Sequence, residues 1–219
     1  MTAIQPTPSD IPVKDDQGYL VPSLMVDWFA NTKTGKEIEE LVNTYLQQHQ
    51  NDFSCIERTI LRRLTHAVFD PVAFSQSCIV TKEAIQLVKK CKKRGFRVGI
   101  LSNLDAQSFA LVKHNNPELF NLFAEEDIFV SGNLGLVKPD PKIYAYVLDK
   151  IQGPVILVDD QLENIIAARK AGFKAIHFKQ ASGLSGLFGN KKEQTDTALK
   201  KIVLLQKRYF PTMPALMVA

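Results

Sequence analysis

The chain has 219 residues, of which 45% are hydrophobic and 23% are charged. This composition is that of a folded domain and argues against a disordered, collagen-like or membrane-spanning protein. The net charge is only +4, from 27 basic and 23 acidic residues, an excess too small to indicate a nucleic-acid partner. We therefore expect neither nucleic acid nor a membrane as a partner.

The cysteines and the first residues both indicate a reducing compartment. Cys55, Cys78 and Cys91 are an odd number of cysteines without a Cys-x-x-Cys spacing, which argues against a disulfide scaffold or a cysteine-based zinc site. The first residues have neither the basic nor the apolar segment of a signal peptide. We expect a cytoplasmic protein.

The first third of the chain divides into an arm and a helical region. Residues 1–21 are polar and proline-rich, and we expect a flexible arm there. Residues 22–78 contain two apolar stripes with helical spacing. The first consists of Ile38, Leu41, Val42, Tyr45 and Leu46, and the second of Ile56, Ile60, Leu61, Leu64 and Val68. The spacing predicts two helices that pack against each other or against a neighbouring core.

Residues 79–181 alternate between short apolar runs and helical patterns. Four of these runs predict strands: Phe96–Ser102, Asp127–Val130, Val155–Val158 and Lys174–Phe178. Strands that alternate with helices of 10–15 residues are typical of a parallel α/β sheet. Residues 182–219 are predicted to form a turn-rich stretch, a C-terminal helix and a tail that is frayed from Pro211.

Polar side chains follow two of the predicted strands. Ser102 and Asn103 follow the first strand, and Asp159 and Asp160 follow the third. Ligands of open parallel sheets bind at the carboxyl ends of the strands. Two adjacent carboxylates repel each other unless a cation or a donor neutralises them, and Mg²⁺ prefers such oxygen ligands. Asn164, one helical turn further on, can face the same place.

Lys138 lies between these strands in the segment Gly-Leu-Val-Lys-Pro-Asp-Pro. A lysine directed toward a hydroxyl and a metal forms a phosphate site. Taken singly, each element has a simpler interpretation. Ser102 and Asn103 are typical of a turn, and a Lys-Pro pair is typical of a solvated loop. Asp159 and Asp160 are typical of a helix cap. The basic run from Lys89 to Arg94 is interpreted as a solvated helix end.

These motifs, in this order, resemble those of the haloacid dehalogenase-like (HAD) hydrolase superfamily, in its branch with a small helical cap. Ile100–Asn103 resembles the second motif, the segment around Lys138 the third, and Val155–Asp160 with Asn164 the fourth. The resemblance implies a Rossmann-like parallel sheet core with a small helical cap over residues 22–78. It also implies Mg²⁺-dependent phosphatase activity on a small phosphorylated metabolite.

The resemblance assigns roles to five residues. Ser102 and Asn103 would bind the transferring phosphoryl group, Lys138 would balance its charge and orient the nucleophile, and Asp159 and Asp160 would hold Mg²⁺. The family's first motif is a strand ending in Asp-x-Asp, whose first aspartate is the nucleophile and whose second is the acid/base. Residues 1–21 contain no such strand.

The nearest imitation of that motif is Asp27 after an apolar run, but Phe29 occupies the position of the second acid, so we interpret Asp27 as a surface residue of a cap helix. The family's first strand lies between the strands that end at Ser102 and Asp159. Its loss would leave both with unpaired backbone groups. Either another segment fills this slot, for which residues 19–26 are the only plausible candidate, or the chain is poorly stable alone.

Three interpretations remain open. The chain is a phosphatase-type hydrolase with impaired or absent catalysis, a non-catalytic binding or regulatory protein that retains a phosphate and Mg²⁺ pocket or pairs with a partner, or the product of a shortened reading frame of a longer phosphatase. An in-frame Asp-x-Asp strand upstream of Met1 would identify the third.

Overall fold

The computed structural model describes residues 13–14, 20–21, 23–178, 191–210 and 213–218, and these form two compact units. The first unit comprises the chain up to Cys78 together with Leu104–Asn115 and Gly132–Gly135. The second comprises Ile79–Asn103, Asn116–Ser131 and the chain from Leu136 onward. Most of the predicted N-terminal arm and the turn-rich stretch around residues 182–190 lie outside the described residues.

The first unit is built mainly of helices. Its elements are the antiparallel pair β1 (Val13–Lys14) and β2 (Leu20–Val21), and the helices α1 (Ser23–Phe29), α2 (Gly35–Gln48), α3 (Cys55–Phe69), α4 (Pro71–Ser77), α6 (Ala106–Asn115) and α8 (Ser131–Leu134). Local capping explains where α2 and α3 begin. Thr34 and Ser54 each accept a hydrogen bond from the backbone of a glutamate three residues on, whose side chain returns to the cap.

Trp28 forms the centre of the first unit. Its side chain is 1% exposed and makes edge-to-face contacts with Phe69 and Phe74, at ring-centre distances of 5.2 and 5.5 Å. Helices α2 and α3 approach so closely that a Cβ atom on Gly35 would lie 1.7 Å from the carbonyl oxygen of Phe69. A glycine is therefore required at the start of α2.

The two predicted helical stripes differ in their burial. All five members of the α2 stripe are buried or half-buried. In α3, however, Ile56, Ile60 and Leu64 are 72%, 51% and 56% exposed. The two helices do pack against each other, as the spacing predicts, but these three members of the α3 stripe are not buried. The opposite side of α3 faces α2, where Arg62 Nε donates to Asn43 Oδ1 at 3.0 Å.

The second unit contains a parallel sheet and its surrounding helices. Its strands are β3 (Arg97–Ser102), β4 (Ile128–Val130), β5 (Val155–Asp159), β6 (Lys174–His177) and β7 (Ala215–Val218). Its helices are α5 (Lys82–Lys93), α7 (Pro117–Phe120), α9 (Pro141–Ile151), α10 (Leu162–Lys170) and α11 (Lys191–Tyr209), with a 3₁₀ turn at Glu125–Asp127. All four neighbouring pairs run parallel, in the order β4-β3-β7-β5-β6, which confirms the predicted α/β class.

The central position of the sheet is occupied by β7, from the far C-terminal part of the chain. It pairs with β3 on one side and with β5 on the other. Two expectations are therefore wrong: the tail is not frayed at Ala215–Val218, and residues 19–26 do not fill the slot. Leu20–Val21 pairs with Val13–Lys14 instead, and the following residues form α1. Gly99 on β3 leaves no room for a side chain, because a Cβ there would lie 2.4 Å from the carbonyl oxygen of Asp127 and 2.8 Å from Met217 Sδ on β7.

The core beneath the sheet contains a thiol whose pKa is raised by its burial. Cys91 on α5 is fully buried, and desolvation raises the pKa of its thiol to about 11. The unfolded chain loses this proton near pH 9, whereas the folded chain keeps it to about pH 11. The unfolded state then binds fewer protons, so the free energy of unfolding falls as the pH rises between these values.

We expect this fall to be shallower in the Cys91→Ala variant than in the parent chain when urea unfolding is measured at intervals from pH 8 to pH 11. The exposed Cys55 provides the control, because Cys55→Ala leaves the buried thiol in place. Equal pH profiles for the parent and Cys91→Ala would contradict the assignment.

Candidate functional site

A buried lysine–aspartate pair lies at the carboxyl edge of the sheet. The Nζ atom of Lys138 is 2.7 Å from Asp159 Oδ2 and donates to the carbonyl oxygen of Leu101 at 2.8 Å. The side chains of Lys138 and Asp159 are only 4% and 1% exposed. Because Leu101 lies on β3 and Asp159 on β5, the ammonium group links the two strands that flank β7.

Burial governs the charge of this lysine. Desolvation lowers the pKa of Lys138 below its usual value, and the neighbouring Asp159 carboxylate acts in the opposite direction. A buried ammonium group needs such a partner, because an isolated charge in a protein interior is strongly disfavoured. The pair therefore places a compensated positive charge at the edge of the sheet.

Asn103 holds the backbone of Lys138 in place. Its Nδ2 atom donates to the carbonyl oxygen of Lys138 at 2.7 Å, and its Oδ1 atom accepts from the backbone N–H of Lys138 at 2.8 Å. This two-point contact fixes the backbone from which the Lys138 side chain extends. Sequence reasoning assigned Asn103 to the phosphoryl group and did not anticipate this positioning task.

The Asp159 carboxylate accepts hydrogen bonds on both oxygens. Oδ1 accepts from the backbone N–H of Gln161 at 2.8 Å, and Asn164 Nδ2 lies 3.2 and 3.1 Å from Oδ1 and Oδ2. Sequence reasoning missed Gln161, although an aspartate that accepts from the N–H two residues on is a common turn signal. These contacts orient the carboxylate toward Lys138.

Asn164 carries an unsatisfied buried oxygen. Its side chain is buried, its Nδ2 atom is used by Asp159, and its Oδ1 atom has no hydrogen-bond partner among the described residues. Its backbone carbonyl accepts from the hydroxyl of Tyr144 at 3.1 Å, a contact that the sequence did not suggest. A buried amide oxygen without a partner is costly, which favours an external ligand at this point.

Ser102 and Asp160 are placed at the same edge by their neighbours in the chain. Ser102 is the last residue of β3 and is half-buried, beside Leu101 and Asn103. Asp160 follows β5 and is exposed, and its carbonyl oxygen lies 2.9 Å from His177 Nε2. The structure thus joins Asn103, Lys138 and Asp159 by direct contacts, and Ser102 and Asp160 adjoin them in sequence.

The donor set fits a magnesium ion. Asp159, Asp160 and the unsatisfied Asn164 Oδ1 supply hard oxygen atoms, which are the ligands that Mg²⁺ prefers. When bound, the ion would supply positive charge that stabilises a phosphate oxygen. Lys138 and Asn164 already hold the Asp159 carboxylate in one orientation.

The central strand brings no carboxylate to this edge within its described residues, Ala215–Val218. Val218 pairs with Ile100 and Val158, one residue before Leu101 and Asp159, and the next residue in the sequence is Ala219. Asp27 lies on helix α1 in the first unit, where its carboxylate pairs with Lys33 and accepts from Thr32 Oγ1 at 3.1 Å. It does not follow a strand.

The basic run at the end of α5 is partly engaged by local partners. Lys89 pairs with Glu118 at 3.1 Å, and Lys90 pairs with Asp196 at 2.8 Å. Lys92 donates to the carbonyl oxygen of Leu122.

Within the described part of the chain, none of the helices is both long and apolar enough to span a bilayer.

The curated proteins that match parts of the chain include two from Aspergillus species. A sesquiterpene phosphatase of Aspergillus oryzae is 35% identical over 94 residues, which are 42% of this chain and 46% of that protein. A drimenol cyclase of Aspergillus calidoustus is 31% identical over 120 residues, which are 52% of this chain and 22% of that protein. The matched part is thus less than half of the length of either relative.

Solved structures share the fold. A HAD family enzyme from Bacteroides thetaiotaomicron, an aspartate-to-alanine variant in complex with magnesium and inorganic phosphate, superimposes with a TM-score of 0.51 at 17% identity. The match covers 81% of this chain and 83% of that one. A dehalogenase gives a TM-score of 0.51 at 19% identity, over 74% of this chain and 66% of that one.

The family model of the haloacid dehalogenase-like hydrolases matches residues 26–172, which include Ser102, Asn103, Lys138, Asp159 and Asp160. This range is about two thirds of the chain. The chain belongs to the haloacid dehalogenase-like hydrolase family.

Proposed function

We propose that the chain carries a phosphatase-type site that binds the phosphate group of a small phosphorylated metabolite together with Mg²⁺. The buried contact of Lys138 with Asp159 and Leu101 carries the proposal, because it fixes one positive charge at the carboxyl edge of a parallel sheet. Ser102 and Asn103 would bind phosphate oxygens through their hydroxyl and amide groups. Asp159 and Asp160 would hold the metal.

The relatives suggest a substrate class. The sesquiterpene phosphatase match favours a phosphate ester of an apolar sesquiterpene skeleton, since that protein's name specifies a phosphatase of sesquiterpenes. We propose this class as the first to assay. A generic aryl phosphate provides the comparison, because it presents the same phosphate group without the terpenoid chain.

We propose that turnover by this chain is slow. Transfer through a covalent aspartyl-phosphate needs a carboxylate in line with the phosphorus and a second acid that protonates the leaving group. The end of β7 favours binding over turnover, since its described residues, Ala215–Val218, bring no carboxylate to the centre of the sheet edge. The second candidate function is therefore binding of phosphate and Mg²⁺ without catalysis.

A phosphatase assay with and without Mg²⁺ separates the two candidates. We expect hydrolysis several powers of ten slower than an ordinary enzyme rate of about 10 s⁻¹. Tungstate, an inert phosphate analogue, is expected to bind the chain, and Ser102→Ala is expected to weaken it. An ordinary turnover rate would refute the slow-turnover proposal.

Mg²⁺ is expected to raise the melting temperature of the chain through binding to the folded state. At ten times the dissociation constant, the gain is about 1.4 kcal/mol, or a few degrees. Asp160→Asn is expected to abolish this shift, whereas Asp149→Asn, an exposed aspartate on α9, is expected to retain it. An unchanged melting temperature at about 10 mM Mg²⁺, roughly ten times the dissociation constant of the weakest protein Ca²⁺ sites, would exclude the metal site.

A further inference from the structure

Three side chains with metal-binding donor atoms meet in the first unit, where α2 adjoins the junction of α3 and α4. Glu39 lies on α2, His66 in the last turn of α3, and Asp70 between α3 and α4. One ligand atom of each lies within 4.8 Å of the other two. In the described part of the chain, no second group of three histidine, cysteine or acidic side chains meets this condition.

Local contacts hold the three candidate ligands close to one another. His66 and Asp70 are one helical turn apart, and the backbone N–H of Asp70 donates to the carbonyl oxygen of His66 at 2.9 Å. The ring atom Nδ1 of His66 lies 3.2 Å from Glu39 Oε1. Asp70 uses Oδ1 to cap α4 through the N–H of Ala73, at 2.7 Å, so its other carboxylate oxygen remains for a ligand.

Packing outside the cluster fixes the separation of the helices that carry it. Gly35 lets the start of α2 lie against the carbonyl of Phe69, one residue before Asp70. Arg62 and Asn43 join the same two helices further along. The ligands are therefore held near each other by a scaffold that does not depend on the cluster.

The electrostatic setting favours a cation. Two carboxylates face one imidazole, and the last carbonyl groups of α3 add the negative end of a helix dipole. The cluster is also reachable, since the side chains of Glu39 and His66 are 28% and 60% exposed. An ion can enter from solvent without any rearrangement of the core.

We propose that Glu39, His66 and Asp70 bind a zinc-class divalent ion that links α2 to the α3–α4 junction. One imidazole with two carboxylates is a donor set of Zn²⁺ and its first-row neighbours, with metal–ligand bonds of about 2.0–2.2 Å. The all-oxygen set at Asp159 differs, because it suits Mg²⁺. Three protein ligands leave one tetrahedral position to water.

Isothermal titration of the full chain with ZnCl₂, in buffer containing excess Mg²⁺ to saturate oxygen-only sites, tests this site. We expect one Zn²⁺ per chain and a rise in melting temperature on binding. His66→Ala is expected to weaken binding by at least about tenfold and to remove the rise. Asp70→Asn is expected to do the same while keeping α4 intact, since asparagine caps helices as well as aspartate.

His49 supplies the matched control. It follows the end of α2 and its Nδ1 atom lies 3.0 Å from Asp52 Oδ2, and no third histidine, cysteine or acidic side chain of the described residues completes a cluster with this pair. His49→Ala is expected to bind Zn²⁺ like the parent chain. Unchanged binding in both His66→Ala and Asp70→Asn, or no binding by the parent, would overturn the proposal.

Discussion

Replacing Lys138 by methionine is expected to lower the free energy of unfolding by about 3–5 kcal/mol. The change leaves the Asp159 carboxylate buried without its cation, although Gln161 and Asn164 still donate to it. Methionine fills a similar volume, so the loss reflects charge and not a cavity. Urea unfolding at neutral pH measures it.

Two variants show whether the loss arises from the broken pair. Lys142→Met removes an exposed lysine of α9 and is expected to change stability by no more than about 0.5 kcal/mol. Lys138→Met combined with Asp159→Asn removes both charges and is expected to recover part of the lost stability. A single Lys138→Met variant as stable as the parent would show that the pair is not buried as described.

Replacing Leu216 by alanine is expected to cost about 2–5 kcal/mol. Leu216 lies at the middle of β7, is 0% exposed, and pairs with Val98 and Ile156 on the two flanking strands. The truncation leaves a cavity at the centre of the sheet. Chemical denaturation of the full chain provides the measurement.

The matched control is Leu204→Ala on α11, where the leucine is 62% exposed. We expect it to change stability by no more than about 0.5 kcal/mol. Similar small effects of both substitutions would mean that β7 does not occupy the centre of the sheet. Slow amide hydrogen exchange at Leu216 and Met217 would support its central position independently.

The sequence predicts those elements that local patterns define. The cap Asp140 and its following proline correctly predict the start of α9, because the aspartate accepts from the N–H of Lys142 at 2.8 Å. The strands β3 and β5 are apolar runs bounded by turn residues. These signals lie within a few residues of the element that they specify.

β7 could not be predicted in the same way. Its four residues, Ala215–Val218, follow Pro214 and show neither alternation nor a turn signal of their own. Their strand conformation depends on backbone pairing with β3 and β5, which lie far away in the sequence. The exposure of Ile56, Ile60 and Leu64 on α3 could not be predicted for a related reason. Periodicity identifies the apolar face of a helix, but it does not show whether another element covers that face.

At the candidate site, the sequence indicates which residues belong to the site but not which atoms they contact. Acidic residues at a strand end and a lysine before proline indicated Asp159 and Lys138 as members of one site. The amide of Asn103, by contrast, contacts the backbone of Lys138, 35 residues away. Backbone partners carry no side-chain signature, so sequence alone could not assign this contact.

The position of β7 also bears on how the protein is synthesised. During translation β3 and β5 emerge well before Ala215–Val218, and β7 pairs with β3 across more than a hundred residues of chain. Until then, both strands present an unpaired apolar edge. Sheet assembly must therefore await the synthesis of Ala215–Val218, and such long-range pairing is intrinsically slow and prone to aggregation. A partly synthesised chain would accordingly expose these two edges to pairing with other chains.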